Sequence, residues 1–218
     1  MLLGSEKMIQ KDAPKVKENK NIKNVAEIMK NGGIAVFPTD TVYGLGAVPL
    51  KKSIEKIYEI KKRDFSKKII ALINDISNLN EMIDETSENM DKISPVLREY
   101  WPGELTVIFK ADRKFTRKFD EELETIGVRI PKNKTALEII KNAGGIVLTT
   151  SANISGENPV TRLNSLNKEI REKADCVIED ESTLTGKPST IVKYENGEIE
   201  LLRKGNVPIE NIKKLMKG

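Results

Sequence analysis

Five cations stand within eight positions: Lys61, Lys62, Arg63, Lys67 and Lys68. Such a cluster can cradle phosphate, the guanidinium as a fork and each ammonium as a point charge. It can equally complement the carbonyl end of a helix. Another cation, Arg129, interrupts the apolar run Thr125-Ile126-Gly127-Val128-Arg129-Ile130-Pro131. A buried charge without a partner is costly, so Arg129 needs an acid. That acid is either a carboxylate of the chain, Asp40 or Glu104, or the carboxylate of a bound amino acid. Two stretches add hydroxyls next to glycine. Pro38-Thr39-Asp40-Thr41-Val42-Tyr43-Gly44-Leu45-Gly46 carries Thr39, Thr41 and Tyr43, and Ser151-Ala152-Asn153-Ile154-Ser155-Gly156 closes a later segment. Glycine lets backbone come close to a ligand, and hydroxyls give neutral donors there. A tight turn and a helix N-cap would use the same residues.

Other chemistry is excluded by what the 218 residues lack. There is no histidine, which removes His general bases, Ser-His-Asp triads and His-ligated metals. The single Cys176 permits no internal disulfide framework and no Cys-based zinc site. Within Ala174-Asp175-Cys176-Val177-Ile178 it reads as a buried small hydrophobe. A net charge of +4 suits an anionic ligand or RNA, and also a Lys- and Glu-rich surface kept for solubility. No apolar run approaches the ~20 residues of a membrane span, and no signal-peptide core opens the chain, so the cytoplasm is expected. Gly186-Lys187-Pro188 resembles half of a phosphate-binding loop, but Glu181 stands where its first glycine belongs.

The elements that must position these residues follow from periodicity and punctuation. Residues 1–20 are Lys-rich with little apolar content, and a flexible arm is expected. Residues 21–218 should form one domain. Asn24–Lys30 reads as a helix ended by Asn31-Gly32-Gly33. Ile34–Phe37 reads as a buried strand that Pro38 terminates, followed by a flexible Gly- and Thr-lined turn. Ser53 is the expected cap of a helix burying Ile54, Ile57 and Tyr58. A strand at 69–73 follows, then a helix from Ser87 to Tyr100 that Pro95 should kink or break. Trp101 reads as a packing anchor. Strands are expected at 105–109, 125–131 and 146–150, with Thr135 capping a helix at 136–142 between the last two. A polar helix at 161–173 and a hairpin across Asn196-Gly197 come next, and Pro208 opens a final helix. Strand order does not follow from the sequence.

Ordered motifs from about residue 22 onward resemble the YrdC-like family, the threonylcarbamoyl-AMP synthases of tRNA modification. They are the stretch Pro38 to Gly46, Lys61-Lys62-Arg63, Trp101-Pro102-Gly103 with Leu105-Thr106, Gly127 to Pro131, Ser151 to Gly156, Ser189-Thr190 and Leu202-Arg203-Lys204-Gly205. The resemblance implies an α/β (α+β) fold, a single-domain twisted mixed β-sheet flanked by helices with a concave basic cavity. It implies synthesis of threonylcarbamoyl-AMP from ATP, L-threonine and bicarbonate or CO2, with pyrophosphate and water released. ATP would be held by Lys61, Arg63, Lys67, Thr125, Ser151, Asn153, Pro159 and Arg203, with Lys61, Arg63, Ser151 and Asn153 carrying the catalysis. L-Threonine would be held by Thr39, Tyr43, Arg129, Thr149 and Ser189. Mg²⁺ would travel with ATP rather than on a protein cage. The downstream partners implied are a threonylcarbamoyl-transferase complex and tRNAs reading ANN codons, with weak direct RNA binding conceivable and no membrane. Relatives often have Pro where Asp64 stands and His where Asn133 stands, which leaves those roles open. Part of the family carries an extra C-terminal domain, and a chain ending at Gly218 fits the type without it. Two other readings stay open: an RNA-binding module without catalysis, and a carbamoyl-adenylate enzyme of the hydrogenase-maturation kind.

Overall fold

A computed structural model describes residues 21–84, 89–180 and 184–217. The expected N-terminal arm therefore lies outside the described residues, as does Ser87. In chain order the elements are α1 (Ile22–Lys30), β1 (Ala35–Pro38), β2 (Tyr43–Ala47), α2 (Lys51–Lys61), β3 (Ile70–Ile73), α3 (Leu79–Met82), α4 (Met90–Tyr100), β4 (Leu105–Lys110), α5 (Arg113–Thr116), β5 (Thr125–Arg129), α6 (Lys134–Asn142), β6 (Ile146–Ser151), α7 (Lys168–Lys173), β7 (Cys176–Val177), β8 (Thr190–Glu195), β9 (Glu198–Arg203) and α8 (Ile209–Leu215). The strands form one mixed sheet in the order β7-β1-β2-β6-β3-β5-β4-β8-β9. β1 with β7, β3 with β5 and β4 with β8 are parallel, and the other neighbours are antiparallel.

Alternation along each strand sends side chains to two cores. One face buries Val36, Leu45, Ala71, Val107, Val128, Leu148 and Val192 together with α2 and α4 residues such as Ile57, Ile93 and Leu97. The other buries Ala35, Phe37, Leu72 and Val147 under α1 and α6, through Val25, Met29, Ile139 and Ile140. Those two helices cover only part of their face. Beyond them the sheet stays open, and there the hydroxylated and cationic residues collect.

Several local expectations change. Pro38 ends β1 as expected, but the turn after it is only Thr39 to Val42: Pro38 pairs with Tyr43, and Gly44 and Gly46 are strand residues of β2. Gly44 is needed for close approach, since a Cβ there would stand 2.9 Å from Thr149 Oγ1 on β6. Ser53 lies inside α2, not at its cap, and its hydroxyl donates to the Gly32 carbonyl at 2.9 Å. α4 starts at Met90 with Asn89 as its cap and runs through Pro95 as one helix. Asn133, not Thr135, caps α6, its side chain accepting from Ala136 N at 2.8 Å. Thr135 instead donates to the Asp180 carboxylate. The expected helix at 161–173 is a 3₁₀ turn at Leu163–Ser165 followed by the short α7. Trp101 is the expected anchor, buried, with its indole N–H donating to the Leu105 carbonyl at 2.7 Å. The Asn196-Gly197 hairpin turn has positive φ at both residues, 53° and 77°, as a primed turn requires.

Candidate active site

The carboxyl ends of β1, β5, β6 and β9 and the starts of β2, β3 and β8 converge on a cavity of about 260 Å³. Its wall includes Thr39, Thr41, Val42, Gly44, Arg63, Lys68, Arg129, Thr149, Ser151, Pro159, Ser189 and Arg203. The two hydroxylated stretches meet because β2 and β6 are hydrogen-bonded neighbours with Gly44 opposite Ser151.

Arg129 ends β5, side chain almost wholly buried. Three of its corners are held by the protein. Nε donates to the Gly103 carbonyl at 2.8 Å, Nη1 donates to Thr41 Oγ1 at 3.2 Å, and Nη2 donates to the Asp40 carboxylate. Of the two acids considered from sequence, Asp40 is the contact. A guanidinium has five N–H donors, so one remains on each terminal nitrogen, enough to take a carboxylate end-on. Burial pushes the Asp40 carboxyl above its ordinary range while Arg129 pulls it the other way. Burial also lowers the Arg129 guanidinium, against the pull of Asp40. Among the described residues, Asp40 Oδ2 is buried without a hydrogen-bond partner. The pair is thus poised at a desolvation cost that a further polar ligand can relieve.

The cationic segment divides in two. Arg63 lines the cavity, and the segment after it curls around the guanidinium: Nε donates to the Lys67 carbonyl at 2.9 Å and Nη2 to the Lys68 carbonyl at 3.1 Å. Burial lowers its pKa. Lys68, not Lys67, lines the cavity and pairs with Asp120 at 3.1 Å. Asp64 orders the segment by accepting from the Ser66 N–H at 2.7 Å. Lys61 does not line the cavity. Fully buried at the end of α2, its ammonium donates to the Ser151 and Asn153 carbonyls, while its own carbonyl accepts from Ser155 N at 3.0 Å. Burial, with Arg63 adding to it, pulls Lys61 down to about 7.

Other expected residues are placed as follows. Thr149 lines the cavity and donates to the Leu45 carbonyl at 3.1 Å. Thr39 lines it too, but its hydroxyl closes the hairpin turn, donating to the Val42 carbonyl at 2.7 Å and accepting from Thr41 N and Val42 N at 3.2 Å each. Tyr43 lies off the cavity wall; it is buried on the opposite face with Leu45, and its hydroxyl reaches the Asp180 carbonyl at 3.5 Å. Asn153 is also off the wall and closes its own turn, Nδ2 donating to Ile154 O at 2.9 Å and Glu157 O at 2.8 Å. Thr125, four residues before Arg129, lies outside the cavity lining at the other end of β5. Arg203 donates from Nε to the Ser189 carbonyl at 3.0 Å and from Nη2 to Ser189 Oγ at 3.1 Å. Thr41, Lys68 and Thr150 are the polar side chains of the wall that sequence reasoning did not single out as ligands. Alternation after Thr39 pointed to the first, and nothing in the run of lysines separated Lys68 from Lys67. Among the described residues no group of three or more His, Cys, Asp or Glu side chains could hold a metal ion.

The family model Sua5/YciO/YrdC, described as "Telomere recombination", matches residues 27–205. A putative threonylcarbamoyl-AMP synthase of Methanocaldococcus jannaschii is 35% identical over 196 residues, 87% of this chain and 90% of that protein. The threonylcarbamoyl-AMP synthase of Pyrococcus abyssi is 30% identical over 200 residues, 91% of this chain but only 58% of the relative's length. Among solved structures, P. abyssi Sua5 complexed with L-threonine has a TM-score of 0.81 at 29% identity, covering 89% of this chain and 56% of that one. E. coli YciO, at 24% identity and a TM-score of 0.74 over 89% of this chain and 95% of its own, shares the fold.

Proposed function

The chain belongs to the Sua5/YciO/YrdC family, and from that premise we propose that it is a threonylcarbamoyl-AMP synthase. The reaction is ATP + L-threonine + bicarbonate → threonylcarbamoyl-AMP + pyrophosphate + water. The observation that carries this reading is one cavity in which Arg129, with two N–H groups to offer, shares a wall with Arg63, Lys68 and Arg203. A carboxylate and a polyphosphate can be held side by side there.

Bicarbonate takes a proton from the threonine ammonium and loses water to give CO2. The freed amine adds to CO2 to give a carbamate and releases one proton, which leaves with pyrophosphate. The carbamate oxygen attacks the α-phosphorus of ATP, and pyrophosphate leaves. The nucleophile comes from the substrate, so the protein needs no His, Ser or Cys nucleophile. What it supplies is position and charge. Arg129 takes the amino-acid carboxylate. Arg63, Lys68 and Arg203 face the phosphates, with Ser151 and Thr149 as neutral partners. Lys61 acts from below, gripping the turn that presents Ser151. Mg²⁺ bound to the triphosphate supplies charge neutralisation when present. The product passes to a threonylcarbamoyl-transferase complex and from there to tRNA, in the cytoplasm. The relative of known L-threonine complex supports the choice of amino acid.

The test mixes pure protein, ATP, Mg²⁺ and bicarbonate with each amino acid in turn. Pyrophosphate release is expected with L-threonine well above all others. Equal release with every amino acid, or none with any, would remove this reading.

A further inference from the structure

Ser189 and Arg203 belong to the cavity wall, and Thr106 stands behind Ser189. Thr106 is the second residue of β4 and is completely buried. Its Oγ1 is 2.8 Å from Ser189 Oγ, and this is the one hydrogen bond of that hydroxyl among the described residues. A buried hydroxyl proton needs an acceptor. For Thr106 the acceptor is Ser189 Oγ. Arg203 carries donors only, so its Nη2 at 3.1 Å also donates to Ser189 Oγ. A serine oxygen has two lone pairs, and both are now occupied. What Ser189 has left is its own proton, and Ser189 lines the cavity.

We propose that Thr106 is a positioning residue that turns Ser189 into a pure hydrogen-bond donor toward the cavity. Ser189 then reads an oxygen acceptor of the ligand, its carboxylate, and refuses a donor such as the ammonium in that place. The assignment of that ligand rests on the proposed function; the direction of the hydroxyls does not. The local backbone supports the arrangement. Thr190 Oγ1 donates to the Val207 carbonyl at 2.9 Å and accepts from Gly205 N at 3.1 Å and Val207 N at 3.0 Å, pinning the start of β8 to the segment after β9. The backbone that carries Ser189 is thereby fixed beside β4, and its hydroxyl is held there by Thr106 and Arg203.

Two measurements test this. The first is L-threonine binding by calorimetry in a double-mutant cycle. Thr106→Val, which keeps the shape and removes the hydroxyl, should weaken binding about five- to tenfold, the worth of one hydrogen bond. Thr106→Ser should restore it to within about twofold, on the same scale. In a Ser189→Ala background Thr106→Val should cost nothing further. An equal loss in both backgrounds would mean that Thr106 only fills space, and would overturn the proposal. The second needs no ligand. The Thr106 hydroxyl proton, buried and donated, should exchange slowly and be visible by NMR in the wild-type protein, and should vanish in Ser189→Ala. A Thr106 hydroxyl that exchanges freely would overturn the proposal whatever the protein binds. A slow proton in a protein that binds no amino acid would instead defeat the proposed function and leave the Thr106–Ser189 direction standing.

Discussion

Lys61 illustrates how one residue changes meaning between sequence and structure. In the chain it belongs to a cationic cluster that reads as phosphate-binding. In the fold it is a buried ammonium holding the Ser151 and Asn153 carbonyls, while Arg63 and Lys68 are the members of that cluster that line the cavity. Its depression to about 7 has a measurable consequence. Between about pH 7 and its unfolded value of 10.5 the unfolded chain keeps a proton at this site that the folded protein has lost. Stability therefore rises with pH across that window, by up to about 1.4 kcal/mol per unit. Cys176, pushed up to about 12 by burial, acts in the opposite sense above its unfolded value of 9.0. The clean window is thus about pH 7–9. Denaturant titrations of the protein without ligands should show the slope there, and Lys61→Met should flatten it; an unchanged slope would mean that Lys61 stays protonated in the fold.

At the scale of elements, hairpins and glycines set the site. β1 and β2 form a tight hairpin whose turn is Thr39 to Val42, so the turn hydroxyls are delivered at the ends of these two interior strands by the register Pro38 opposite Tyr43. The stretch could be recognised as a special turn from its residue types. That its glycines were strand residues could not, because the reason is Thr149 on β6, more than a hundred residues away. The same holds at Gly205, where a Cβ would stand 2.3 Å from Thr190 N and 2.6 Å from the Pro188 carbonyl oxygen. Backbone on both sides cannot yield as a side-chain tip can. Gly205→Ala should destabilise by about 1–3 kcal/mol, the ordinary cost of overpacking, and should shift Ser189 and Arg203 together. Unfolding by urea and threonine affinity check it; wild-type values for both would show that the segment has room. α4 provides the counterexample to local reading. Pro95 sits inside it, yet the helix continues, because Ile93, Val96 and Leu97 are fully buried against the core and tertiary packing outweighs one missing backbone bond.

For the molecule as a whole, function depends on a sheet only partly covered on one face. α1 and α6 bury Phe37, Leu72 and Val147, and the cavity opens where they stop. A ligand bound there stabilises the folded state alone. At a hundredfold excess over its Kd it should add about 2.7 kcal/mol, a Tm rise of roughly 5–10 °C for a chain of this size. ATP and L-threonine should each raise Tm, and Arg129→Ala should abolish the threonine shift while leaving that of ATP; loss of both shifts together would contradict the division of the cavity. The sequence by itself determined the family, the α/β class, the absence of His chemistry, most elements and the anchoring role of Trp101. Those depend on residue types and short spacings, which the chain states outright. It also named Asp40 as a possible partner for Arg129. Only the tertiary structure decided between Asp40 and Glu104, set Lys68 rather than Lys67 at the wall, moved Tyr43, Asn153 and Lys61 off it, and ran β3 between β6 and β5. Those outcomes depend on which strands become neighbours, and alternation then sends each side chain to one face or the other. Pairing across long loops is a global minimum over two buried faces, and no local stretch of sequence contains it.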